Sequence, residues 1–296
     1  SAVSSLADAI ADDDTLVRGT VARALAAIGP DAASATGSLV AALAREKDPD
    51  VVVGIIDACA EIGPGAREAV PALVTRLAAT EEAPRLAAAI ALGEIGPAAA
   101  ATAAQAVEGL LHDRSGPVRV AAAGALVGME RPTPAVRHVL AEALASADAG
   151  LQEEAARTIG DWGTSAHAFS TSLASLATDS PSAPLRAAAA AALGDIGATD
   201  AAEALGRALD DDDADVRSAA AYAIADMPEA ARALVQQLIA AADDDDVRVR
   251  IEIACALGHA ATPAARAALD TLKDDEDPNV ADAAREALRA SATRRQ

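Results

Sequence analysis

Asp213-Ala214-Asp215-Val216-Arg217, running on into Ser218-Ala219-Ala220-Ala221-Tyr222-Ala223-Ile224, is the stretch that decides how this chain folds. An acid precedes the first turn, then a valine, an arginine and a run of small residues with a larger one every third or fourth position. That is the pattern of an amphipathic helix entered through an acidic cap. The segment recurs along the whole chain. With Arg217 as anchor, the equivalent positions are Arg18, Val52, Arg85, Arg119, Gln152, Arg186, Arg250 and Ala281, spaced 34, 33, 34, 33, 34, 31, 33 and 31 residues apart. Regular spacing of this length marks a repeat array, so self-similarity governs every later reading.

The columns around the anchor behave as one stripe of a helix. The residue before it is Val17, Val51, Val118, Val216, Val249 or Val280, with Pro84, Leu151 and Leu185 in the remaining repeats. Seven positions after it stand Leu25, Cys59, Leu92, Leu126, Ile159, Leu193, Ile224, Leu257 and Leu288, and ten after it Ile28, Ile62, Ile95, Met129, Trp162, Ile196 and Met227. Offsets of −1, +3, +7 and +10 fall on one face at 3.6 residues per turn. Glycine closes many of these helices, at Gly29, Gly63, Gly96, Gly163 and Gly197. It is expected there in the left-handed conformation. A second apolar stripe precedes each anchor, as in Val70, Leu73, Val74 and Leu77. Each repeat is therefore a pair of helices joined by an acidic link such as Asp210–Asp213 or Asp243–Asp246. One pair cannot bury its own stripe, so neighbours must stack.

The expectation is an all-α fold, a right-handed α-α superhelix of about nine two-helix repeats in a single solenoid over 1–296. The repeats run approximately 1–30, 31–64, 65–97, 98–131, 132–164, 165–197, 198–228, 229–261 and 262–296.

Hydrophobic residues make up 52% of the chain but aromatic residues only 1%, so the apolar content is mostly alanine. There are 45 acids against 24 bases, a formal charge of −21, and only two lysines, Lys47 and Lys273. A surface of this sign is unsuited to DNA or RNA, which need clustered cations. Excess aspartate with scarce lysine resembles proteins of halophilic archaea, in which acids keep the surface hydrated in molar salt. No apolar run long enough to span a membrane is present, and no signal peptide, so the expected location is cytoplasmic.

The pattern Asp-x-x-Val-Arg-x-x-Ala-x-x-Ala-Leu-x-x-Ile-Gly, seen over 81–96 and 213–227, resembles the HEAT-like repeat of the phycobilisome-lyase type. The resemblance implies that the second helices line a concave surface. It also implies that the anchor arginine pairs with an acid of the adjacent link to form a ladder. That ladder lacks its arginine at Val52, Gln152 and Ala281.

No constellation for catalysis, for a metal or for a cofactor stands out. His112, His138, His167 and His259 have no ligand spacing, and no His-Glu pair exists of the kind that holds iron in a HEAT-like hydroxylase. Cys59 takes a core column and reads as a buried inert thiol. Trp162 shares its column with isoleucines and reads as packing. The remaining signal lies at offset +9, where Glu61, Glu94, Asp161, Asp195 and Asp226 stand. With Arg157, Tyr222 and Ile90 at offset +5, they describe a smooth groove edged by carboxylates. The expected role is a non-catalytic protein-interaction scaffold that takes a helix or a basic extended segment of another protein. A bilin-lyase-like subunit and a structural subunit of a larger assembly are the alternatives.

Overall fold

The computed structural model describes residues 2–293. Among the described residues there are helices and turns and no strand. The chain divides into two compact units, one up to Ala143 and one from Leu144.

The first unit contains α1 (Ala2–Ala9), α2 (Thr15–Ile28), α3 (Thr36–Arg45), α4 (Pro49–Ile62), α5 (Val70–Arg76), α6 (Glu82–Ile95), α7 (Pro97–Gly109), α8 (Gly116–Gly128) and α9 (Pro134–Leu144). The second contains α10 (Ala149–Trp162), α11 (Ser170–Asp179), α12 (Ala183–Asp195), α13 (Ala202–Ala208), α14 (Ala214–Ala225), α15 (Pro228–Ala233), α16 (Val235–Ala240), α17 (Val247–Ala260), α18 (Pro263–Leu272) and α19 (Pro278–Thr293). Every anchor falls in the first turn or so of a second helix. In the first unit α2, α4, α6 and α8 lie side by side in that order, and in the second α10, α12, α14, α17 and α19 do the same. This is the α-solenoid arrangement expected from the spacing.

The acidic links act as helix caps. Asp14, Asp48, Asp148, Asp213 and Asp246 each accept a hydrogen bond from a backbone N–H of the first turn, and Ser115 and Ser182 do so in two other repeats. Two residues before the cap stands a second acid with a larger task. The Arg18 guanidinium meets Glu46 at 2.6 Å, Arg85 meets Asp113 at 2.8 Å, Arg186 meets Asp211 at 2.7 Å, Arg217 meets Asp244 at 2.6 Å and Arg250 meets Asp275 at 3.0 Å. Both carboxylate oxygens are engaged in each pair, so the contacts are bidentate. Four of the same arginines donate to two or more carbonyls of their own link or helix start, as Arg85 does to Ala79, Thr80 and Glu81, while Arg186 donates to the single carbonyl of Ser180. The acid in turn accepts a backbone N–H two residues ahead. One ion pair thereby ties two successive links to one another.

Two absences in this ladder are matched. Val52 replaces the arginine where Ala79 replaces the acid, and Gln152 does so where Ser180 replaces the acid. Arg119 is an addition to the expected gaps. It keeps the donor role to the Asp113 carbonyl, but two residues before the next cap stands Ser146, which has no carboxylate.

The closing glycines all have positive φ, from 62° to 70°. Their ψ corrects the expected left-handed helical conformation: Gly29, Gly63, Gly96 and Gly163 have ψ between −134° and −151°. That region is open to glycine alone, because any Cβ would clash there. Three of the five, Gly29, Gly63 and Gly163, lead into 3-10 segments of seven residues, such as Gly63–Ala69.

The seam between second helices is built from glycine on alanine. A Cβ added to Gly93 would fall 2.9 Å from the Cα of Ala125, and one on Gly194 would fall 2.7 Å from the Cα of Ala223. Leu25, Ile55, Leu92, Leu126, Ile159, Leu193, Ile224 and Leu257 fill the core beneath that seam with at most 1% exposure. Trp162 is part-buried and its ring centroid lies 6.4 Å from that of Phe169, consistent with a packing role. Cys59 is fully buried, and burial pushes its thiol up to about 12.

Candidate protein-binding surface

The sequence places five acids at the last turn of second helices, and the structure leaves all five side chains at the surface. Their surroundings differ between the units. In the first unit, Glu61 and Glu94 stand at the ends of α4 and α6. Glu61 adds its charge to that of Asp57 one turn earlier, whose carboxyl is held above its ordinary range by burial and then by Glu61. Ile90 is 45% exposed on α6.

In the second unit, Asp161, Asp195 and Asp226 come together at the ends of α10, α12 and α14. They edge a common depression with Gly160, Gly194 and Gly197. Gly160 is what lets Asp195 approach: a Cβ at that position would lie 2.8 Å from Oδ2 of Asp195. The Asp195 carboxyl is pushed above the usual carboxylate range by loss of hydration first, and then by the charges of Asp161 and Asp226. Burial raises Asp161 as well. Glu252 on α17 extends the group; it is raised by burial and then by Asp226. Tyr222 lies at the same place, 43% exposed, its hydroxyl raised by the charges of Asp226 and Asp195.

Asp161, Asp195 and Asp226 sit at the wrong end of their helices. The last turn carries unpaired carbonyls and the negative pole of the helix, which disfavour an anion. Loss of hydration and the helix dipole act against ionisation of Asp161 and Asp195, and at Asp195 the neighbouring charges add to them. A surface acid kept only for hydration has no need of such a position.

Beside the carboxylates runs an open groove of about 540 Å³. Ala187, Ala188, Ala191 and Ala219 form its floor, and Asp161, Asp195, Asp213 and Asp215 its margin. Arg157 also borders it, held by Glu153 at 2.6 Å and Glu154 at 3.4 Å on its own helix. Asp57, Glu252, Asp213 and Asp215 were not among the site residues expected from sequence. The two link acids sit at the start of α14, and only the lateral stacking of helices brings them to the groove beside acids from helix ends. Among the described residues no group of three or more His, Cys, Asp or Glu side chains is arranged to hold a metal ion.

The two sets of shifted acids oppose each other as pH falls. Carboxyls raised in the folded state, such as Asp161, Asp195 and Glu252, destabilise while ionised, and their protonation as pH falls toward the ordinary carboxylate range relieves that cost. Ladder acids are held low, Glu46 at about 2 by Arg18 and Asp113 by Arg85, so their contribution is intact above pH 4 and is lost below it. The midpoint of urea unfolding is therefore expected to rise between pH 7 and about 4.5 and to fall steeply below about pH 4. Molar KCl should flatten the rise, because screening removes part of the repulsion. A midpoint that only declines from pH 7 downward would contradict this account of the carboxylate cluster.

Comparison with known proteins agrees with this architecture. The family model described as HEAT repeats matches residues 36–127 and 170–236, more than half of the chain. Among solved structures, the chain is similar to the crystal structure of an engineered protein, with 25% sequence identity, a TM-score of 0.56, and 98% of this chain and 88% of that one covered. No curated protein matches the sequence significantly. No described helix is long and apolar enough to cross a membrane. With its ladder, its capped helix pairs and the extent of that match, the chain belongs to the HEAT-repeat family.

Proposed function

We propose that the protein is a non-catalytic interaction module whose second unit binds a basic segment of another protein, extended or helical, along the groove beside Asp161, Asp195 and Asp226. One observation carries this reading. Asp161, Asp195 and Asp226 are held together at helix ends, where burial raises the Asp161 carboxyl and burial with neighbouring charge raises that of Asp195, and an alanine-floored groove lies alongside. A cationic side chain placed there would offset these penalties, and the groove would accept the apolar part of the same segment. The finer setting we infer is a salt-rich cytoplasm, since the −21 charge favours hydration at high ionic strength.

A defined probe tests the reading. A fluorescently labelled peptide alternating alanine with lysine and arginine is titrated by anisotropy in 0.2 M and 2 M KCl. Exchanging Asp161, Asp195 and Asp226 together for asparagine should weaken binding at least tenfold, which is about 1.4 kcal/mol, because charge-assisted contacts are worth that much or more. The same exchange at Glu61 and Glu94 should have a much smaller effect. Equal affinity for the aspartate triple variant and the unaltered protein would remove the basis of the proposal.

A further inference from the structure

The second helices of the second unit are not tied to one another equally. Between α12 and α14 the Arg186–Asp211 rung joins the two links, and the Ser170 hydroxyl donates to Asp200 at 2.8 Å from one repeat to the next. Between α14 and α17 the rung is Arg217–Asp244, and Arg248 also reaches Asp215 at 2.7 Å. Between α17 and α19 it is Arg250–Asp275. Between α10 and α12 the anchor is Gln152, and Ser180 takes the place of the acid. Gln152 donates to the Leu144 carbonyl and the Ser180 hydroxyl accepts from the Ser182 N–H, so each bonds within its own link. In the first unit the matching gap is filled by Val52, which is 4% exposed, whereas Gln152 stays half-buried.

The seam at this junction is also more open. A Cβ added to Gly160 would lie 3.5 Å from the Cα of Ala192, against 2.9, 2.7 and 3.2 Å for the equivalent pairs at Gly93, Gly194 and Gly258. The Asp195 carboxylate reaches into the added room, 2.8 Å from the same point, and carries the same charge as Asp161 on α10. The groove lies across this junction: α10 brings Arg157 and Asp161 to its side, and α12 brings the alanines of its floor. Missing rung, open seam and like charges therefore coincide under the groove. We infer that α10 is a movable wall of the groove, standing off α12 while Asp161 and Asp195 repel each other and drawing in when a cation sits between them. Packed helices slide in this way where few specific contacts fix them, and such elements open more readily than the rest of a fold. The drawing-in rests on the binding of a basic segment proposed above; the looseness of α10 does not.

Hydrogen exchange read by mass spectrometry, with α10, α12 and α14 on separate fragments, tests both halves. Amides of α10 are expected to exchange about tenfold faster than those of α12 and α14. Gln152→Arg with Ser180→Asp builds the missing rung at the same separation of 28 residues as Arg18–Glu46 and Arg85–Asp113. That double variant should slow α10 about tenfold and leave α14 within about twofold, whereas Gln152→Arg alone, with no acid to meet, should not slow α10. Saturating the unaltered protein with the alanine, lysine and arginine peptide should also slow α10 and spare α14. An α10 as protected as α12 overturns the inference, as does a double variant that leaves α10 unchanged or is matched by Gln152→Arg alone. Peptide binding without slower exchange in α10 overturns the drawing-in and leaves the proposed function standing. A peptide that does not bind removes that function, and the response of α10 to the built rung still decides its looseness.

Discussion

Replacing Arg85 by methionine is expected to lower unfolding stability by about 3 kcal/mol, the cost of leaving one member of a buried ion pair alone. The Arg85 and Asp113 side chains are only 7% and 9% exposed. Removing the cation strands the Asp113 carboxylate and takes a donor from three carbonyls, those of Ala79, Thr80 and Glu81, of which Thr80 keeps a hydrogen bond from Arg114. An exposed ion pair of the same length would contribute little. Arg248 with Asp215, 61% and 68% exposed, supplies the control, and its loss should change stability far less. Urea unfolding of the two variants against the unaltered protein checks the difference. Equal effects at the two sites would show that the ladder does not hold the links in the way described.

Gly194→Ala is expected to destabilise by about 2 kcal/mol, although alanine is the better helix former by about 1 kcal/mol. The added Cβ would stand 2.7 Å from the Cα of Ala223 and 2.8 Å from its Cβ, so α12 and α14 would have to separate. Backbone cannot yield as the tip of a long side chain can. Gly37→Ala isolates the propensity effect, because nothing lies within 4 Å of its added Cβ. That change should be neutral or stabilising. Thermal and urea unfolding of the pair separate crowding from propensity. A stabilised Gly194→Ala protein would mean that the seam between α12 and α14 is not close-packed at this point.

Much of this architecture is written in the order of the residues. The columns at −1, +3, +7 and +10 name the core, and the five glycines that end second helices are the five with positive φ. The reason is physical: a repeat that must stack on both sides constrains the same offsets each time. What depends on approach between side chains is less legible. Ser146 silences the rung of Arg119 without any change in the arginine column itself. The acids at +9 look equivalent along the chain, yet Asp195 is crowded because Gly160 leaves room for it. The division at Ala143 and Leu144 interrupts no spacing at all. The unusual ψ of the closing glycines was equally hidden, since residue identity shows that φ is free without saying where ψ settles.

The scarcity of rings has a practical consequence. The chain holds one tryptophan, one tyrosine and one phenylalanine, and Trp162, Phe169 and Tyr222 all fall after Leu144. Intrinsic ultraviolet fluorescence is therefore blind to the first 143 residues, and it watches Trp162 leave its neighbour Phe169. Far-ultraviolet dichroism, by contrast, sums over helices in both units. Recording the two signals in one heating experiment separates a shared collapse from two independent ones, with no label and no engineered reporter.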